Sequence, residues 1–245
     1  LVTLFFMISA LVVSYLGLEA VARTARFLVG TLVVSAMGLI ALTLPSWQFH
    51  SLYPLWGPGP WGLVKGTLKN SGDFIQILLL GVIYPFLPAG KVKLIGIKAV
   101  FISGFFMFLY VLAPLMIFSY PAATELGMPS FEMARIINIS RFGQRLEVIF
   151  LPVWVFAILI TLSIALYAGA AVMTRMFKLS DYRPFVLAVT MFTMVITFIP
   201  ENISQALEYN HQYLSHYSFA ILALILSFLH GAARLRDRNK EKNRV

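Results

Sequence analysis

The chain contains no cysteine, so a disulfide framework, a thiolate metal site and a cysteine nucleophile are all excluded. Charge is also scarce. Charged residues make up 12% of the sequence, against roughly 25% in an ordinary soluble domain. The four histidines, His50, His211, His216 and His230, show no HExxH or other ligand spacing. His211 and His216 fall in a polar stretch, where solvated side chains are the simplest reading. Neither an enzyme nor a bound cofactor is expected from this inventory. Alternating polar and apolar segments of about ten residues, the pattern of a membrane β-barrel, are missing too.

What is abundant is hydrocarbon. Hydrophobic residues reach 60%, and several runs exceed the roughly 18 apolar residues that mark a bilayer span. The composition therefore describes an all-α polytopic membrane protein in contact with the lipid bilayer. Seven spans are expected, at 1–16, 27–44, 61–87, 92–118, 146–173, 184–199 and 216–233, as one transmembrane domain over 1–233. A basic tail, 234–245, follows. Prolines at 45, 85, 88, 121, 129 and 200 fall at or near span ends.

The net charge of +9 follows loop positions and forms no patch interleaved with aromatics, so a nucleic-acid partner is not expected. The basic residues instead set orientation. With the tail in the cytoplasm and sides alternating backward, fourteen Lys and Arg lie inside and five outside. Without the tail the distribution is still eight against five. Leu1 then falls outside, already within an apolar run and with no basic leader ahead of it. The sequence accordingly reads as a C-terminal portion of a longer protein.

One span is interrupted. In "WGLVKGTLKNSGDFIQILLLGVIYPFL", the residues Lys69, Asn70, Ser71, Gly72 and Asp73 stand where a helix should continue. The fourteen residues from Phe74 to Leu87 make only about 21 Å of α-helix, short of a hydrocarbon core of about 30 Å. A broken span resolves the deficit: half-helix 61–69, an unwound Asn70-Ser71-Gly72, then half-helix 73–87. Polar backbone at membrane depth is tolerated where protein or a water-filled cavity covers it.

Such breaks line the midplane sites of transporters built from inverted repeats. The first half ends in free carbonyls, which accept from an ammonium group, and the second begins with free N–H groups, which suit a carboxylate. Together they fit a zwitterion. Asp73 can cap the second half. The alternative makes 57–72 an external amphipathic loop, with Asp73 an N-cap at the membrane surface.

Span 146–173 carries Thr161 and Ser163, two positions apart and so on different helix faces. They are candidate ligand contacts, with local backbone bonding or helix packing as the alternative. Gly169, Ala170 and Ala171 read as a close-packing surface. Outside, Phe131, Arg135 and Ile139 sit four apart, as on a short amphipathic helix that serves as a lid, a docking surface or a plain connector. Glu132, Arg141, Arg145 and Glu147 add charges to that surface. Inside, Glu19 and Arg23 are in the favourable order for a helical ion pair.

"YLGLEAVARTARF", "PSFEMARIINISRFGQRLEVIFLPVW" and "FKLSDYRPFVL" resemble the B subunits of nutrient germinant receptors, the GerAB-like spore germination family. The resemblance runs through nearly the whole chain and is most specific from Pro129 to Pro184. It implies a fold similar to the amino-acid/polyamine/organocation transporters, the LeuT-like five-plus-five inverted repeat. The seven spans would then be helices four to ten, with the broken one as helix six. Relatives carry a lysine seven residues after the helix-eight tryptophan; here that position is Thr161, which cannot supply the charge.

The implied function is a receptor subunit in the endospore inner membrane that senses a small germinant, most simply an amino acid. Its implied partners are the A and C subunits. A secondary transporter of amino acids and a non-binding scaffold subunit are the alternative functions.

Because no native cysteine needs removal, topology is directly testable. Cysteines placed at Lys91 and Ser180 should react with an impermeant maleimide only from the cytoplasmic side. Those at Ser51 and Thr124 should react only from the opposite side. Labelling of both pairs from one face contradicts the seven-span arrangement.

Overall fold

The computed structural model describes residues 1–54, 56–57, 59–88, 90–137, 147–210 and 215–242, with backbone alone at 69–74, 121, 147–150, 215–216, 219, 233 and 236–242. Among the described residues every regular element is helical. The α-helices are α1 (Val2–Leu16), α2 (Leu18–Thr43), α3 (Gly59–Asn70), α4 (Leu79–Ile83), α5 (Val92–Glu125), α6 (Pro129–Ile136), α7 (Glu147–Met176), α8 (Arg183–Thr197), α9 (Ile203–Tyr209) and α10 (Ser215–Lys242). Four 3-10 stretches, Leu44–Ser46, Phe49–Leu52, Ser71–Leu78 and Tyr84–Phe86, complete the set.

Among the described residues three helices are long and apolar enough to cross a bilayer: Leu18–Ser46, Val92–Tyr120 and Leu151–Met176. The architecture is that of an all-α membrane protein. The chain forms two compact units, one of Leu1–Leu55 with Gly81–Thr197, the other of Trp56–Leu80 with Phe198–Val245.

In the first unit α7 is the axis, packing against α1, α2, α6 and α8. Lipid supplies little hydrophobic drive between apolar helices, so small residues that allow close approach do the work. Ala170 and Ala171 are buried, and a Cβ on Gly169 would stand 3.2 Å from Val189 Cγ1 of α8. The small-residue face expected from the sequence is therefore a packing face. Ser14 of α1 meets α7 at a buried crossing, where its hydroxyl lies 2.6 Å from Ala10 O and 2.9 Å from Ser163 O.

The α1–α2 turn is fastened to the α7–α8 turn by one tyrosine. Tyr182 packs edge-on against Tyr167, with ring centroids 5.2 Å apart, and its hydroxyl donates to Tyr15 O at 3.2 Å. Arg183 lies 5.3 Å above the Tyr15 ring. Gly17, between α1 and α2, has φ 101°, and a Cβ there would come within 2.8 Å of the Tyr182 hydroxyl. The angle favours glycine, and a Cβ there would also have to push the Tyr182 hydroxyl aside. α2 begins at Leu18, ahead of the apolar run from Phe27. It carries the Glu19–Arg23 pair at 2.6 Å, exposed and so contributing little stability.

At the other end α5 breaks at Ser119, whose φ of 63° and ψ of 164° are not helical. Pro121 follows two residues on, and a proline has no N–H to give to the helical ladder. The break frees carbonyls upstream, and Met116 O accepts instead from Gln48 N at 2.8 Å. That bond ties the α2–α3 connection to α5.

In the second unit α3 and the Ser71–Leu78 stretch pack on α10. α9 is capped by Asn202, whose side chain accepts from Gln205 N at 2.8 Å, while Gln205 Oε1 accepts from Glu201 N at 2.6 Å. The arrangement is close to a capping box, with the return bond made to the residue before the N-cap.

Gly17→Ala should lower stability by about 1–3 kcal/mol through its disfavoured backbone angle. Tyr182→Phe should cost about 0.5–1.5 kcal/mol, the worth of one hydrogen bond. Thermal unfolding of the detergent-solubilised protein measures both. A Gly17→Ala variant as stable as the parent contradicts the fastened turn.

Candidate functional site

The polar interruption is where the backbone changes its helix type. α3 is α-helical to Asn70, 3-10 bonding takes over from Ser71 to Leu78, and α4 and a second 3-10 turn, Tyr84–Phe86, follow. An eight-residue 3-10 run is long for a geometry seldom sustained beyond about four residues. Mid-helix 3-10 stretches often mark hinges or strained sequence. The side chains of Asn70, Ser71, Gly72 and Asp73 lie outside the described residues, so the cap expected of Asp73 is not observed either way.

The 3-10 rise of about 2.0 Å per residue alters the length argument. With it, the path from Ser71 to Phe86 is about 30 Å long, where an all-α segment would be shorter. Contour length is thus compatible with a broken span and with an external α3. Packing of both α3 and the 3-10 stretch on α10 favours the broken span, because it gives the irregular backbone a protein cover.

The two hydroxyls of α7 stand apart in environment. Thr161 is exposed and donates to Ala157 O at 2.9 Å. Ser163 is fully buried, donates to Leu159 O at 2.7 Å, and offers its carbonyl to Ser14. Each hydroxyl hydrogen is therefore used locally, and Ser163 serves the α1–α7 contact. Thr161 and Ser163 belong to the first unit, whereas Asn70 to Ser71, Gly72 and Asp73 belong to the second.

The first unit contains a cavity of about 360 Å³ between α2, α5, α6 and α7, within the usual range of about 300–1,000 Å³ for ligand pockets. Its walls are largely hydrocarbon, with Ser35, Tyr110, Ser130 and Trp154 as the polar members and no charged residue among them. Sequence reading missed this cavity. The signal was present: Leu32, Ser35, Ala36, Leu39 and Ile40 recur at helical spacing on α2, as do Phe106, Tyr110 and Ala113 on α5. Nothing in the sequence says that these two faces converge.

α6 closes one side of the cavity through Ser130 and Met133. It starts with Pro129 in the first turn, where a missing N–H costs nothing. On its outer surface Arg135 pairs with Glu132 at 3.1 Å and lies 6.0 Å from the Phe131 ring centre. The expected amphipathic helix thus exists over 129–136, while Ile139, Arg141 and Arg145 lie outside the described residues. Among the described residues no group of His, Asp and Glu could hold a metal ion.

A family model, spore permease, described as "Spore germination protein", matches residues 1–206. Comparison with curated proteins found no match, and comparison with solved structures found none.

Depth of the polar interruption is testable. A cysteine at Gly59 should react readily with a bulky impermeant maleimide, and one at Ser71 should react at least about tenfold more slowly if protein covers the break. Equal rates at the two positions would place α3 on the membrane surface.

Proposed function

The chain belongs to the spore germination protein family, and on that premise we propose that it is the transmembrane subunit of a nutrient germinant receptor. In this reading it adopts a LeuT-like inverted-repeat fold in which the described helices correspond to helices four to ten. The segment 59–86 is the broken helix six. The germinant is a small zwitterion, an amino acid first of all, held where α3 gives way to the 3-10 stretch. The observation that supports this most is the change of backbone geometry from Ser71 to Leu78, covered by α10.

Where i→i+4 bonding gives way to i→i+3 bonding, the register passes over one carbonyl near the end of α3, and that carbonyl suits the ligand's ammonium group. Occupancy acts as a signal only if the ligand prefers one conformation of the protein to another. A break between two helix types is a natural place for such a preference, since re-bonding a few peptides shifts the relative angle of its two halves. The receptor sits in the endospore inner membrane with its C-terminus in the cytoplasm, and acts with A and C subunits.

The same break would serve a secondary transporter of amino acids. Accumulation of labelled amino acid against a gradient by vesicles holding the full-length protein would establish that reading instead.

Gly72 is the most informative substitution. Glycine lets the backbone approach a ligand closely, so Gly72→Ala in the full-length protein should raise the germinant concentration for half-maximal response by about tenfold or more, near 1.4 kcal/mol of binding. Asp73→Asn should be mild if Asp73 only caps, because asparagine caps nearly as well, and severe if its charge meets the ligand's ammonium group. Leu79→Ala, on α4, should leave concentration dependence unchanged at matched protein levels. A wild-type dose response from Gly72→Ala at normal abundance removes the site from this segment.

A further inference from the structure

We propose that the cavity between α2, α5, α6 and α7 is a second binding site, for an uncharged, mainly hydrocarbon molecule that carries a hydrogen-bonding oxygen. The size follows from the volume. About 360 Å³ accommodates about a dozen heavy atoms at the ~30 Å³ share of a water molecule.

The polarity follows from the walls. Ser130 is 8% exposed and lines the cavity together with Ser35. Among the described residues neither hydroxyl has a hydrogen-bond partner. Thr161, Ser163 and Thr174, by contrast, each donate to the carbonyl one turn back, the usual recourse of a hydroxyl on an apolar helix. Ser130 cannot do so, because it lies in the first turn of α6 behind Pro129. A buried hydroxyl without a partner is costly, and an alcohol or ester oxygen in the cavity removes that cost.

Charge is excluded on the same grounds. With no ionisable residue except the Tyr110 phenol in the walls, a carboxylate or ammonium group would be desolvated without compensation. A zwitterionic amino acid does not fit here, so this site is distinct from the one at the helix break. Two sources supply the required chemistry: a free amphiphile such as a medium-chain alcohol, or the ester and upper acyl chain of a neighbouring lipid.

The test uses the full-length protein in phospholipid vesicles with two photoreactive probes, a diazirine-bearing medium-chain alcohol and a phospholipid with the diazirine in its acyl chain. Adducts are mapped by mass spectrometry. Adducts concentrated on Phe106, Tyr110 and Met133, and suppressed by unlabelled decanol, are expected. Their appearance with the alcohol probe assigns a free amphiphile, and with the lipid probe the surrounding membrane.

Ser130→Ala should raise the decanol concentration for half-protection about three- to tenfold, the effect of one lost hydrogen bond. Ala36→Phe, which fills the cavity, should abolish labelling there; if that variant does not accumulate, Ser130→Ala still decides. Adducts no denser in the cavity than on the exposed Phe101 and Phe192, or half-protection unchanged by Ser130→Ala, overturn the proposal.

Discussion

Every peptide group inside a bilayer must find its hydrogen bond within the protein, because hydrocarbon offers none. That constraint governs this chain more than any side-chain pairing. Where the sequence permits an α-helix it forms one, and where the α-helix is interrupted, freed groups are re-bonded nearby. α5 breaks at Ser119, and Met116 O is taken up by Gln48 N. The run after Asn70 shifts to 3-10 bonding and packs on α10. Tyr182 reaches a carbonyl at the end of α1. Each irregularity thus becomes a tie between elements, and the two largest irregularities are the places where the chain is least like a simple bundle.

Much of this was legible in the sequence, for reasons that differ by level. Helical class follows from apolar runs, which need no tertiary information. The packing role of Gly169 to Ala171 was readable because small residues on an apolar helix have few other uses, and Val189 now fills the space. The Glu19–Arg23 pair is local, one turn apart, and it forms. The interruption at Asn70 to Asp73 was visible as composition, but its geometry was not. An unwound segment was expected, whereas the backbone from Ser71 is 3-10 helix. Choosing between the two depends on what the segment packs against, and α10 lies far away in the sequence. The cavity was invisible for the same reason: its α2 and α5 faces are separately periodic, and only the fold brings them together.

Function divides along the same line. Membership of the spore germination family makes this an integral membrane protein of receptor or permease type. The ligand reading rests on chemistry: the change of hydrogen-bond register at the end of α3 passes over a carbonyl that a ligand's ammonium group can take. The uncharged cavity in the other unit has walls of hydrocarbon with a few hydroxyl and aromatic groups.

The central claim is that the α-to-3-10 junction is the ligand site, and hydrogen–deuterium exchange tests it most directly. The full-length protein in lipid nanodiscs would be compared with and without each member of an amino-acid panel. The account predicts that the effective amino acid slows exchange at amides 70–78 by about tenfold or more, as binding stabilises those peptide bonds. Unchanged exchange at 70–78 with clear protection elsewhere in the protein would contradict it.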